Sequence, residues 1–215
     1  MILYSGPMSL FTGKVRIALD EKGIPYELVS VPFSRAGYQP KHPKVLELNP
    51  KSQVPVLVDG EVVVYDSTIM FEYLEDVHPL PALYPRDAGR RAQCRVMEAA
   101  ADEIFFPSVW ELIREVFYKA DGAGRDEAAV AAAKQAIATH YDRLERQLGE
   151  QPFLCGELSV ADIGYFMFIT SATSLGQGLT EAHPGLQAWY GRVLARPAFS
   201  RELERLMTAN RELTS

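Results

Sequence analysis

Strand-forming patterns are confined almost wholly to the first 65 residues of this 215-residue chain. A stretch with three prolines in seven residues, Pro79-Leu80-Pro81-Ala82-Leu83-Tyr84-Pro85, separates them from the helical patterns that follow. Such a stretch reads as a linker. The chain is thereby restricted to an α/β portion followed by an all-α portion, with expected boundaries at 1–78, a linker at 79–88 and a helical domain at 89–215.

The first portion opens with an apolar strand (Ile2, Leu3, Tyr4), a Gly6-Pro7 turn, and a helix starting between Ser9 and Thr12 and stopping at Gly23. A partly alternating strand follows at Tyr26–Val31, then a polar loop from Pro32 to His42 and a short helix at Pro43–Leu48 that ends before Asn49-Pro50. Val54–Val58 and Glu61–Tyr65 are strands joined through Asp59-Gly60, a tight-hairpin signal. Asp66-Ser67 introduces a helix to about His78. The order βαβαββα implies one right-handed βαβ unit with an antiparallel hairpin on the same sheet, a thioredoxin-like arrangement.

The beginning of the first helix carries chemistry. Its first N–H groups lack internal partners and the macrodipole places positive charge there, so anions are stabilised. No acid occupies the first turn; Lys14 and Arg16 follow instead, reversing the usual preference. Ser9 and Thr12 are each placed either to cap the helix or to meet an external anion, and this segment alone does not separate the two readings.

Beyond the linker, Arg90–Lys119 is a long helical pattern with a kink expected at Pro107, and Asp121–Gly124 is a loop. Asp126–Leu148 is an Ala-rich helix. Ser159-Val160-Ala161-Asp162 fits a capping box before an apolar helix at Ile163–Thr173. Pro184–Ala195 and Ala198–Asn210 complete a helical bundle. Along the long helices Phe105, Phe106, Trp110 and Phe117 are either core residues or the wall of an apolar pocket, and Met8 and Phe11 flank Ser9.

A net charge of −6 gives no electrostatic reason to expect nucleic acid or an anionic membrane surface as partner. No apolar run spans a bilayer and no secretory leader is visible, so the cytoplasm is the expected compartment. The two cysteines, Cys94 and Cys155, have no metal-binding spacing and are expected to be reduced, buried small residues; no metal is expected.

Three segments carry a family resemblance: L-Y-S-x-P-x-S-x-F-x-x-K-V-R-I-A-L-x-E-K-G-I from Leu3 to Ile24, L-N-P-x-x-Q-V-P-V-L from Leu48 to Leu57, and Y-D-S-x-x-M-x-E-Y-L from Tyr65 to Leu74. In this order and spacing they resemble the cytosolic glutathione S-transferases, in the bacterial, serine-type form. The resemblance implies glutathione as co-substrate, a small apolar electrophile as its partner, and a homodimer. It implies that the bond before Pro55 is cis and that the backbone of Val54 pairs with the cysteinyl unit of glutathione. Asp66 and Ser67 then take the γ-glutamyl end, Gln53 the peptide backbone or glycyl end, and His42, with Lys41 and Lys51, the glycyl carboxylate.

In serine-type members the active serine stands five residues before the K/R-V-R triplet, which begins here at Lys14, and Ser9 matches. The resemblance thus makes Ser9 the donor to the glutathione sulfur, with Tyr4 second and Ser5 third, and leaves the cap to Thr12. Met8, Phe11, Phe106 and Trp110 are the expected electrophile pocket. Two other readings stay open. One is a glutathione-dependent isomerase, although the Ser-Ser-Cys pattern of maleylacetoacetate isomerases is replaced by Ser9-Leu10-Phe11. The other is a non-catalytic regulator on the same fold, similar to the stringent starvation proteins.

Overall fold

A computed structural model describes residues 1–34, 36–39 and 41–214. Of the polar loop expected over 32–42, positions 35 and 40 lie outside the described residues. The chain divides into two compact units, 1–83 together with 196–215, and 84–195.

The first unit is built on a four-stranded sheet in the order β2-β1-β3-β4, with β1 Ile2–Ser5, β2 Glu27–Ser30, β3 Val56–Asp59 and β4 Val62–Tyr65. β1 is parallel to β2 and antiparallel to β3, and β3 is antiparallel to β4. Helices α1 (Leu10–Glu21), α2 (Pro43–Leu48) and α3 (Ser67–Val77) complete the βαβαββα order expected from the sequence. The hairpin register pairs Asp59 with Val62, so the two-residue loop is Gly60-Glu61, one position later than Asp59-Gly60. Gly60 takes the positive φ (+59°) that such a loop needs. Asp59 is thereby kept in the ladder, where its carboxylate accepts the Tyr73 hydroxyl at 2.9 Å.

Alternation along β1 separates two faces. Leu3 and Ser5 are buried on the face that carries α1, whose Arg16 reaches the Ser5 hydroxyl. Tyr4 points the other way, into a cluster of Val31, Val45 of α2 and Val56. On the α1 side the chain's last helix, α9 (Pro197–Thr214), packs against α1 and belongs to the sheet unit. The compact units therefore differ from a division by chain order, in which 89–215 is one body. Charges on α1 pair with α9 and the residue before it: Arg16 with Glu202, Glu21 with Arg196, and Asp20 with Arg201 and Arg205.

The second unit contains α4 (Ala88–Ala100), α5 (Phe106–Leu112), α6 (Glu127–Leu148), α7 (Val160–Ser174) and α8 (Pro184–Leu194). Pro107 does not kink a single long helix as expected. Two wide π-helical turns, Ala101–Phe105 and Ile113–Phe117, flank α5, with Pro107 in its first turn. Proline has no N–H to give and is tolerated at a helix start. The wider turn before it absorbs the mismatch, as the Phe106 N–H reaches back five residues to the Ala101 carbonyl.

Helix α7 is buried around nearly its whole circumference and forms the axis of this unit. Its expected capping box is present, and it begins at Val160, three residues before the apolar run. Asp162, fully buried, accepts the Leu154 N–H and Trp189 Nε1 on one oxygen and the Ser159 N–H and hydroxyl on the other. One carboxylate thus joins α7, the preceding turn and α8. Among the described residues no helix is long and apolar enough to cross a membrane.

His140 on α6 stacks on Phe105 at 4.6 Å between ring centroids, with Nε2 3.2 Å from the Tyr165 hydroxyl. Burial, aided by the Arg143 charge, lowers its pKa from 6.5 to about 4. A histidine depressed on folding contributes stability that is complete above pH 6.5 and is lost as the pH falls toward 4. Urea unfolding of wild type and His140→Gln across that window checks this. Wild-type stability should fall more steeply with acidification, by close to one bound proton, and equal slopes contradict it.

Candidate functional site

The sheet register gathers the predicted residues before any side chain is considered. Tyr4 pairs with Val56 and Val56 with Tyr65, so the end of β1, the start of β3 and the end of β4 share one edge of the sheet. From that edge the chain enters α1 through Ser9, arrives at β3 through Gln53-Val54-Pro55, and enters α3 through Asp66-Ser67. Two helix N-termini and one strand start therefore face a common place.

Ser9 is the N-cap of α1, in extended backbone, and its Oγ accepts the Thr12 N–H at 3.2 Å. The cap is thus Ser9, a correction to the expectation that Thr12 holds it. Thr12 is buried, and its hydroxyl accepts the Gly6 N–H at 3.3 Å, closing the turn from inside. Capping uses only the acceptor side of Ser9, so its hydroxyl proton remains for a further acceptor at this half-buried position. The first turn of α1 holds no acid, which leaves the positive helix end to an outside anion.

The cations that the sequence places near this end are interior. Lys14 has no exposed surface, and its Nζ lies 5.5 and 5.4 Å from the ring centroids of Phe11 and Phe71. Arg16 is buried against Glu202, donating through Nε at 2.8 Å and Nη2 at 2.5 Å, and it donates through Nη1 to the Ser5 hydroxyl. Ser5 precedes Gly6, so Arg16 holds the strand end from which the Ser9 turn departs. A Cβ on Gly6 would meet the Tyr38 hydroxyl and ring at 2.4 to 2.7 Å, so a side chain there has to displace Tyr38. Sequence reading missed Glu202 as a determinant of the site; a lone acid in a helix far along the chain gives no local signal.

The Val54-Pro55 bond is cis, as the resemblance implies. Asn49 builds the turn before it, its Nδ2 donating to the Gln53 carbonyl at 2.7 Å and its Oδ1 accepting the Lys51 N–H at 2.9 Å. Gln53 is exposed, Val54 half-buried and Pro55 buried. Asp66, at φ +84°, caps α3 by accepting the Thr68 N–H on Oδ1 and pairs with Lys51 Nζ at 3.0 Å through Oδ2. Lys51 is therefore engaged with Asp66, and Ser67 is buried at the first helical position. His42 precedes α2 with its ring 5.6 Å from that of Tyr4, and its buried Nδ1 has no hydrogen-bond partner among the described residues. Tyr4 lies on the α2 face, against His42 and the valine cluster, which separates it from the α1 face.

Met8 and Phe11 are half-buried beside Ser9. In the helical unit Phe106 packs on Trp110 and Phe168, and Trp110 is 45% exposed, whereas Phe105 is core. A cavity of about 480 Å³ in that unit is lined by Phe105, Ser108, His140 and Arg143 among others, but not by Phe106 or Trp110. Among the described residues no three His, Cys, Asp or Glu side chains are grouped to hold a metal ion.

Residues 3–82 match the model of a glutathione S-transferase N-terminal domain and residues 127–192 that of the C-terminal domain. Glutathione S-transferase 3 of Zea mays is 30% identical over 93% of this chain and 91% of its own. A theta class glutathione S-transferase from Xanthomonas axonopodis pv. citri, solved with glutathione bound, superposes with a TM-score of 0.83 at 29% identity, covering 94% of this chain and 96% of that one. A stringent starvation protein A homolog from Coxiella burnetii is 34% identical over 51% of this chain and 50% of its own.

The Arg16–Glu202 pair yields a direct test of how the strand end is held. Removing one partner of a buried ion pair leaves an uncompensated charge. Glu202→Ala should lower the unfolding free energy by about 3–5 kcal/mol in urea titrations, and Arg16→Met with Glu202→Leu should recover most of it. A single-variant loss below about 1 kcal/mol contradicts the arrangement.

Proposed function

The chain belongs to the glutathione S-transferase family, and from that premise we propose that it is a transferase that activates the glutathione thiol for attack on a small apolar electrophile. The observation that carries this reading is the common sheet edge, where Ser9, Val54-Pro55 and Asp66-Ser67 meet. Glutathione has a thiol in its middle and an ammonium and carboxylate at its γ-glutamyl end. The Val54 backbone pairs with the cysteinyl unit as an added strand would. Ser67 and the first amides of α3 hold the γ-glutamyl carboxylate, and Asp66 faces the ammonium. Gln53 and His42 take the peptide backbone and glycyl end.

Ser9 donates its free hydroxyl proton to the sulfur. A cysteine thiol has a pKa of about 8.5, so only a few per cent is ionised at neutral pH. A hydrogen bond to a charged acceptor is worth about 1.5–3 kcal/mol, which lowers that pKa by roughly one to two units. The acid-free end of α1 acts in the same direction. Met8 and Phe11, half-buried beside Ser9, supply apolar surface for the electrophile. A cytoplasmic homodimer completes the reading; exposed Val62 and Val63 on the edge strand β4 and Ile69 on α3 support an apolar contact with a second copy.

Similarity to a stringent starvation protein homolog over half the chain favours one alternative, a regulator that uses the same fold without turnover. Retention on immobilised glutathione and conjugation of an aryl halide separate the two. Wild type should bind and turn over, and Ser9→Ala should bind but lose roughly 10- to 100-fold in kcat/KM. Binding without turnover on any electrophile favours the regulator. Unchanged activity in Ser9→Ala with loss in Tyr4→Phe removes Ser9 from the role.

A further inference from the structure

Of the described residues other than glycine, only Ser52 and Asp66 hold a positive φ, at +54° and +84°. Residues with a side chain rarely adopt that region, and strained positions of this kind collect where a fold clamps a ligand. Both stand at the sheet edge described above, and one contact ties their two turns together: Lys51 Nζ meets Asp66 Oδ2 at 3.0 Å. The Lys51 backbone is fixed independently of that contact. Its N–H donates to Asn49 Oδ1 at 2.9 Å, the Ser52 N–H donates to the Asn49 carbonyl at 2.8 Å, and Asn49 Nδ2 donates to the Gln53 carbonyl at 2.7 Å. Asp66 is held as well, because its Oδ1 accepts the Thr68 N–H at the start of α3. Both ends of the pair are thus set in place by backbone turns.

The pair fills a carboxylate that the glutathione reading gives to the substrate. On that reading Asp66 faces the ammonium of the γ-glutamyl unit, yet its Oδ2 already carries an ammonium, that of Lys51. Two ammonium groups on one carboxylate oxygen repel each other, so arrival of the second drives the first away. Lys51 is free to go, since its side chain is 55% exposed and a strongly hydrated lysine finds water as its alternative partner. Resting on that reading of the site, we propose that Lys51 is a resident counter-ion of Asp66 which the glutathione ammonium displaces, so that Lys51 lowers the affinity for glutathione by competing for its anchoring carboxylate.

Competition of this kind selects by charge. A tripeptide with an α-ammonium exchanges one ion pair for another, and its net gain is reduced by the pair that it breaks. A tripeptide without one leaves Lys51 on Asp66 and gains nothing from that carboxylate. In the unloaded protein Lys51 also keeps Asp66 from standing as a bare anion beside the amides that await the γ-glutamyl carboxylate. This role differs from a contact with the glycyl carboxylate, the place that the family resemblance gives Lys51. The two roles have opposite consequences: removing a competitor tightens binding, and removing a contact weakens it.

Calorimetric titration of wild type and Lys51→Met tests this with two ligands, glutathione and glutaryl-cysteinylglycine, in which hydrogen replaces the amino group. Methionine keeps most of the lysine stem and removes its charge. Lys51→Met should bind glutathione roughly two- to fivefold more tightly than wild type, the range that an exposed ion pair spans. The gain should shrink at high salt, vanish in the Asp66→Asn background, and be absent for the glutaryl analogue. Lys51→Arg, which keeps the charge, should bind glutathione no more tightly than wild type. The proposal is overturned if Lys51→Met binds glutathione with unchanged affinity, or if the glutaryl analogue gains as much. Weaker binding by Lys51→Met overturns it in favour of a contact with a substrate carboxylate. Glutathione binding by neither protein overturns the transferase reading together with the proposal, an outcome distinct from binding at equal affinity.

Discussion

The buried pair between Arg16 and Glu202 fixes the part of the molecule on which the functional reading rests. It is bidentate and almost fully desolvated, and the guanidinium spends its remaining donor on Ser5 at the end of β1. An exposed pair at this distance would contribute little, but here each charge is tolerated only because the other is present. The last helix is thereby joined to the first strand and first helix, across nearly the whole length of the chain. Downstream of Ser5 the order is passed on by short contacts: Gly6 to the Thr12 hydroxyl, the Thr12 N–H to Ser9. The cap that ends this sequence is the hydroxyl proposed to meet the thiol.

Local patterns were enough to read the sheet unit. Each strand is a short apolar or alternating run close to Gly, Pro, Asn or Asp, and the starts of α1 and α3 carry a Ser and an Asp cap, so element order and topology followed from residues near one another in sequence. The hairpin moved by one position because pairing of Asp59 with Val62 is decided across the sheet. The cap fell to Ser9 for a similar reason: only the three-dimensional turn shows that the Thr12 hydroxyl faces inward to Gly6. Lys14 and Arg16 looked like charges near an anion site, and their burial depends on Phe71 and Glu202, which no local pattern links to them.

The helical unit follows a different logic, with one carboxylate acting as its hub. Asp162 was legible as half of a capping box, since Ser and Asp three residues apart satisfy each other's backbone. Its further bonds to Leu154 and Trp189 are tertiary and were not legible. The π-helical turns around α5 likewise show that Pro107 is accommodated by widening its neighbours.

The central claim is that the Ser9 end of α1 stabilises the glutathione thiolate. Ultraviolet difference absorbance of the thiolate, followed against pH for glutathione bound to wild type and to Ser9→Ala, measures it directly. The account predicts a bound-thiol pKa roughly one to two units below that of free glutathione in wild type, most of it lost in Ser9→Ala. A bound thiol that titrates like free glutathione, or the same lowered value in both proteins, contradicts it.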